Sequence, residues 1–330
     1  MKAWWVKNWF MLGMPVAVGL AWIFPDAGAT GGVLRSEITT KLAVALVFFG
    51  QGVTLPAKAL RDGASRWRLH VGVQSYTFLV FPLTGIAFVA LAGRWFAPDL
   101  RMGFLLLSVL PSTIVMSVML TTVAKGNISA AIFNAVFSNV VGVFLTPLWV
   151  AVLIKAGGQM QSLGGIMREV LLLLILPLVV GQVVRRWGAE SWADARRKPI
   201  SHVSNTVILI IVYAAFCNSV KAQVWSNHGW TTFGAAAVGV AVLLAISLGG
   251  AMWVARLARY DAADAIVMVF CGAQKSLATG VPLAKIIFGA HPGLGLMLLP
   301  IMIYHPLQLF VCGAIGGRAA REKTGNEGSI

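Results

Sequence analysis

The chain has 330 residues, of which 58% are hydrophobic and only 11% charged, with a mean hydropathy of +0.82. Soluble domains carry roughly 25% charged residues, so the composition excludes a soluble globular protein and indicates a polytopic membrane protein. The net charge of +15 has no basic domain outside the apolar stretches to carry it, which excludes a nucleic-acid-binding surface.

Apolar runs near the roughly 20 residues that cross a bilayer lie at about 9–24, 40–56, 70–92, 102–123, 127–154, 166–184, 203–220, 231–255, 263–289 and 294–315. The first follows Lys2 and Lys7 and precedes Ala27-Gly28-Ala29, a pattern that imitates a secretory signal. Pro15 interrupts it and the ten-span count needs it, so it reads as an uncleaved helix. The third segment holds a buried amide, Gln74. The fourth runs Leu110-Pro111-Ser112-Thr113-Ile114-Val115-Met116-Ser117, then Leu120-Thr121-Thr122. Alone, that stretch reads equally well as a plain kink, because Ser and Thr bond back to their own helix and one Pro bends it. The fifth carries Asn134, Ser138 and Asn139, which suit interhelical glue worth about 1 kcal/mol or less each. The basic connection at about 185–202 reads as a solvated loop.

The ninth segment contains Cys271-Gly272-Ala273-Gln274-Lys275-Ser276-Leu277-Ala278-Thr279-Gly280-Val281-Pro282. Gly272 and Gly280 bracket its polar residues and Pro282 cannot donate a backbone bond, so the helix is expected to break. Backbone freed at that depth costs several kcal/mol per group in lipid, so the break must lie inside protein or line a wet cavity. Lys275 sits in the middle of it, and an ionisable group within the membrane is read by default as functional. Gln274 and Lys275 would point about 100° apart on a regular helix; only an unwound chain lets both address one cavity. In the tenth segment His305, within Ile303-Tyr304-His305-Pro306, is a second ionisable candidate, more often a satisfied buried imidazole than a proton relay.

Charge sets the topology. With both termini cytoplasmic, inside connections hold seventeen of the 26 basic residues and outside ones hold eight, leaving Lys275 in the membrane. That is the positive-inside bias, and an odd number of spans breaks it. Trp4, Trp5, Trp9, Trp67, Trp95, Trp187, Trp192, Trp225 and Trp230 lie at segment ends, as interface anchors do. Cys217, Cys271 and Cys312 lack metal-ligand spacing and read as packing residues. The two interrupted segments hold the fourth place and the ninth, corresponding positions in halves of five spans (1–157 and 158–330). Broken helices so placed are the signature of an inverted repeat around a midplane binding site.

These residues resemble the bile acid/sodium symporter superfamily, within its bile-acid-symporter-like branch, over essentially the whole chain. The resemblance is most specific in Gly272 through Leu283 and in Ile303-Tyr304-His305-Pro306, with support from Lys125-Gly126-Asn127, Ala130-Ala131-Ile132-Phe133-Asn134 and Gln74. It implies an all-α fold of ten transmembrane helices in two inverted five-helix repeats. Helices 1, 2, 6 and 7 would form a panel domain, and helices 3, 4, 5, 8, 9 and 10 a core, with discontinuous helices 4 and 9 crossing. By position Gln274, Gln74 and Ser117 match the family's sodium-liganding residues. The departures are Phe270 in place of the glutamate shared by two ions, Lys275 in place of an asparagine, Val118 where a fourth-helix asparagine stands, and Ala131 and Ala135 where hydroxyls stand. At best a degenerate sodium site around Gln74 and Gln274 remains. None of the eleven acidic residues falls at midplane, the nearest in sequence to Lys275 being Asp264, and a carboxylate-free pocket holding an ammonium repels sodium.

The functional reading is a secondary active transporter that moves a small organic anion by alternating access without two-sodium coupling. Two alternatives stand beside it: a sodium-coupled bile-acid-type symporter, and a non-transporting regulator that keeps the fold. Lys275 has three open roles: proton carrier, anion ligand, or static cation capping helix C-termini. The candidate site is Gln274, Lys275, Ser276, Gln74, Ser117, Asn134, Ser112, Thr113, Cys271 and His305. No cofactor is expected beyond Na+ or H+ as coupling ion, and the partners are the anion and the lipid bilayer. An enzyme is disfavoured, since no Ser or Cys stands with a His and an acid at plausible depth. Short loops point to a multi-pass protein of a bacterial inner membrane.

Overall fold

Helix covers every one of the ten apolar segments in a computed structural model that describes residues 2–55, 65–156, 163–225 and 230–327. In chain order these are α1 (Lys2–Ile23), α2 (Ser36–Thr54), α3 (Trp67–Trp95), α4 (Pro98–Val109), α5 (Ile114–Val123), α6 (Ile128–Ala156), α7 (Met167–Ala195), α8 (Arg197–Lys221), α9 (Trp230–Leu257), α10 (Ala262–Ala273), α11 (Leu277–Phe288) and α12 (Leu294–Glu327). No strand occurs among the described residues. Among the described residues seven helices are long and apolar enough to cross a bilayer, α10 and α11 counting as one, or eight when the bent pair α4 and α5 counts as one span. The apolar helix Trp9–Ile23 is shorter, and α2 carries Glu37, Lys41 and Gln51 among its apolar residues.

Burial locates the centre. In the span formed by α10 and α11, 89% of the apolar window is buried, against 67% for α12 and 17% for α7. The segment that carries the lysine is therefore the axis around which the rest packs, and α7 is the least buried of the seven long spans. Helices α1, α2, α7 and α8 pack on one another as one set, while α3, α4, α6, α9 and α12 surround the axis. The join of α2 to α7 depends on two glycines. A Cβ on Gly52 would meet the Leu178 carbonyl oxygen at 2.2 Å, and one on Gly181 the Phe49 carbonyl oxygen at 2.4 Å, so the two backbones approach as only small residues allow.

Several expectations are corrected. Pro15 leaves α1 unbroken. The connection at 185–202 is helix rather than loop: α7 runs on to Ala195 through a kink at Gly188 (φ 108°), and α8 starts at Arg197. Arg185 holds that corner by donating to both Asp194 carboxylate oxygens at 3.0 and 3.1 Å. Trp225 is buried rather than interfacial, stacked between Phe216 and Phe233, whereas Trp67, Trp95, Trp187 and Trp192 are exposed. The break in segment nine spans only Gln274–Ser276, and Gly272, Gly280 and Pro282 are helical. The boundary between the expected halves at 157/158, and the basic residues Lys58 and Arg61, lie outside the described residues.

Candidate functional site

The site begins with two breaks that meet. Between α4 and α5 the chain is extended at Leu110 (φ −70°, ψ 151°) and Thr113 (φ −82°, ψ 141°), and the two helices are bent by 60°. Between α10 and α11, Gln274 (φ −78°, ψ 144°) and Ser276 (φ −85°, ψ 109°) are likewise extended. Ser276 N–H donates to the Pro111 carbonyl at 2.9 Å, joining one break to the other. Backbone groups released at such depth must find partners, and here side chains supply them. The Ser112 N–H donates to Ser138 Oγ at 3.0 Å, and Asn139 Nδ2 donates to the Ser112 carbonyl at 2.7 Å. Gln308 faces Lys275 in both directions, accepting from its N–H at 2.8 Å and donating to its carbonyl at 2.9 Å. Tyr304 donates to the Ala273 carbonyl at 2.7 Å.

Lys275 is fully buried. Its Nζ donates to the carbonyls of Leu110 at 2.8 Å, Ser108 at 3.0 Å and Thr77 at 3.2 Å, and lies 4.1 Å from the centroid of the Phe81 ring. Three carbonyls take three N–H donors, which only the ammonium form supplies. One acceptor, the Ser108 carbonyl, lies in the last turn of α4, the partly negative end of that helix, and another belongs to Leu110, the extended residue that follows it. The third is freed by a local defect. Residues Tyr76–Val80 form a π turn in which Phe81 N–H bonds the Tyr76 carbonyl. In that register the Thr77 carbonyl would be served by residue 82, and Pro82 has no N–H. Lys275 takes the Thr77 oxygen, and Trp149 Nε1 takes the neighbouring Phe78 oxygen at 2.9 Å.

The remaining predicted residues fall into separate groups. Gln274 Oε1 accepts from Ser117 Oγ at 2.8 Å, and Ser112 Oγ lies 3.2 Å from Ser117 Oγ. Gln74 Nε2 donates to the carbonyl and side-chain oxygens of Asn134 at 3.1 and 3.2 Å, and Asn134 Nδ2 lies 2.9 Å from His70 Nδ1. Gln74 Oε1 and Gln274 Nε2 are buried without a hydrogen-bond partner. No carboxylate belongs to either group, and the only buried acid among the described residues is Asp264, tied to Arg66 at 3.0 Å and Asn127 at 2.8 Å. Cys271 packs, its thiol 3.7 Å from the Ala131 carbonyl. His305 Nδ1 lies 3.1 Å from Gln308 Nε2. Sequence reasoning missed Gln308, Tyr304 and Thr279. Gln308 was findable as the single amide in the apolar run of segment ten.

A cleft of about 360 Å³ opens beside the crossing. Its walls are the C-terminal end of α2, the N-terminal third of α8, and the first residues of α5 and α11. Thr113, Ser276, Thr279 and Asn139 face it from the crossing side, and Arg197 and Lys198 from α8. Asn139 Oδ1 accepts from Thr279 Oγ1 at 2.9 Å, which fixes the polar floor. Both half-helices present their N-terminal, partly positive ends to this space. Lys275 is not among the lining residues; its ammonium points away, into the cage.

The sequence profile of the SBF-like CPA transporter family, of the bile acid:Na+ symporter superfamily, matches residues 8–321. An uncharacterized Pseudomonas aeruginosa protein, PA2026, is 37% identical over 314 residues, covering 95% of this chain and 93% of that protein. A candidate symporter of Escherichia coli K12, YfeH, is 37% identical over 325 residues, 98% of this chain and 96% of that protein. The sodium/bile acid cotransporter 7 of Rattus norvegicus is 31% identical over 312 residues, 92% of this chain and 90% of that protein.

Proposed function

The chain belongs to the SBF-like CPA transporter family, and from that premise we propose that it moves a small organic anion by alternating access, with Lys275 in place of sodium ions. The observation that carries this reading is the juxtaposition of a closed cation cage with an open polar cleft at one pair of helix breaks. In the cleft, an anion would meet two helix N-termini, the hydroxyls of Thr113 and Ser276, and the cations of Arg197 and Lys198. Backbone N–H groups and the dipole at a helix start favour negative charge. The volume lies near the lower end of the usual range for ligand sites, roughly 300–1,000 Å³, and suits a small anion better than the steroid in the rat relative's name.

On this reading the fold is the ten-helix pair of inverted repeats, and the set α1, α2, α7 and α8 is the panel against which the core moves. The basic ends face the cytoplasm, so the cleft opens inward. Sodium prefers oxygen ligands with negative charge nearby, whereas the crossing offers an ammonium, no carboxylate and, at Gln274, an unpartnered N–H. The residues present do not fit two sodium ions. A proton remains available as coupling ion for a specific geometric reason. The acceptors of the ammonium come from α3 and α4 while the amine belongs to the α10–α11 break, so any step that separates these elements opens the cage and frees the proton.

The test is flux in proteoliposomes across a panel of small carboxylates, phosphates and sulfonates, with pH and sodium gradients imposed separately. Uptake that ignores sodium supports the reading, and uptake that requires sodium overturns it. If a pH gradient drives flux in the wild type but not in Lys275→Asn, the lysine carries the proton; flux indifferent to pH leaves it a fixed cation. No flux for any anion under any gradient favours the regulator.

A further inference from the structure

At the end of the bundle where α9 stops, an apolar trough of about 230 Å³ runs between α9, α10 and α12. Met252, Val269, Ile315 and Ala319 line it, and Arg256 and Tyr260 stand at its mouth. Val269 is two turns beyond the start of α10 at Ala262, so the trough reaches about 10 Å below the surface. Across Tyr260 lies a second hollow of about 350 Å³, which includes Arg66, Arg68 and Arg259. Arg66 is committed to Asp261 at 3.3 Å and Asp264 at 3.0 Å. Arg68, Arg256 and Arg259 have no ion-pair partner among the described residues. Trp67 beside them is 67% exposed, as an interfacial anchor at headgroup level would be.

We propose that this place binds one anionic phospholipid, its phosphate at Arg256 and Arg259 and one acyl chain in the trough. The two hollows share Tyr260 and differ in chemistry, one lined mostly by apolar side chains and the other by Arg66, Arg68 and Arg259 with Asp261 and Asp264 neutralising only part of their charge, which is the division within a phospholipid. Basic pockets between transmembrane helices take anionic headgroups by this combination. A small free anion has no use for the apolar half. A second copy of the chain would bring its own unpaired guanidiniums against these.

The test counts lipids retained by the detergent-purified protein in native mass spectrometry, after incubation with phosphatidylglycerol or phosphatidylcholine. The wild type should retain phosphatidylglycerol about fivefold or more over phosphatidylcholine, since each guanidinium near a headgroup contributes about that factor. Arg256→Gln with Arg259→Gln should remove the preference. Ala319→Leu, which fills the trough and leaves the cations intact, should lower retention independently and covers the case in which the double variant misfolds. Equal retention of the two lipids by the wild type overturns the proposal. So does displacement of phosphatidylglycerol by inorganic phosphate at matched ionic strength, because that places a free anion rather than a lipid in the site. A wild-type dimer that holds no lipid also overturns it.

Discussion

Two of the buried cationic side chains among the described residues, Arg185 and Lys275, differ in what holds them. Arg185 is 6% exposed and lies just before the Gly188 kink of α7, where it donates to the Val53 carbonyl at 3.0 Å and meets two half-exposed carboxylates, donating to Asp194 and lying 3.7 Å from Glu190. Lys275 is fully buried and meets no carboxylate at all, only carbonyl oxygens and a ring face. A buried charge is tolerated when hydrogen bonds satisfy every donor, and a counter-ion is one means among several. At Lys275 the dipoles of a helix C-terminus and a π turn take that role. No counter-ion among the described residues neutralises the charge, and the neighbouring cleft is lined by Arg197 and Lys198 rather than by carboxylates.

The largest effect expected from breaking this comparison comes from Lys275→Met. It keeps much of the volume and leaves three buried carbonyls without donors, at about 1–3 kcal/mol each. A loss of about 3 kcal/mol or more should appear as a fall in the unfolding midpoint in detergent, or as failure to purify a folded protein. Lys275→Arg tests whether the cage reads geometry or only charge, since a planar fork does not match three converging carbonyls; it should recover less than half of the loss. An arginine variant as stable as the wild type would show that charge alone suffices.

Gln308→Leu comes next. It removes both hydrogen bonds to the Lys275 backbone while keeping the cage, for about 2 kcal/mol in the same measurement, and it should slow any flux by loosening the break. Arg185→Ala should cost less, about 1 kcal/mol. Asp194 and Glu190 are half exposed, and solvent takes over much of what the guanidinium gave them. If Arg185→Ala proved the more damaging of the two, the contrast between carbonyl-held and carboxylate-held cations would fail.

How much of this was legible from sequence follows from the same residues. Both breaks were visible because Pro111 and the run Gln274-Lys275-Ser276 interrupt apolar helices, and burial then put that run at the axis of the molecule. The partners of Lys275 were not visible. Backbone carbonyls leave no trace in side-chain identity, and the Thr77 oxygen becomes available only through a π turn whose sequence sign, Pro82, lies five residues away. Asn139 and Ser138 read as ordinary glue, yet they hold the first break. The corner at 185–202 was misread because its charges look like a solvated loop, while Arg185 uses one of them to close a helix.

A third cation, Arg66, extends the series to a half-exposed site and gives the smallest expected effect. It pairs with Asp261, which caps α10 by accepting from the backbone N–H groups of Ala263 at 3.0 Å and Asp264 at 2.8 Å. Those backbone bonds, with Arg66 adding to them, hold the Asp261 carboxyl below its usual range. A carboxylate depressed in the folded state adds stability that is fully present above its unfolded value of about 3.9 and is lost as pH falls through the folded value. Asp261→Asn keeps a capping oxygen and removes the charge, so its deficit should be a few tenths of a kcal/mol at pH 7 and should shrink as the pH falls below about 3.9. Asp261→Ala loses the cap as well and should cost about 1 kcal/mol. The measurement is the unfolding midpoint of the three proteins from pH 7 to pH 3. A deficit of Asp261→Asn that persists unchanged at pH 3 would mean that shape, not charge, fixes the start of α10, and the graded series of three cations would lose its outermost member.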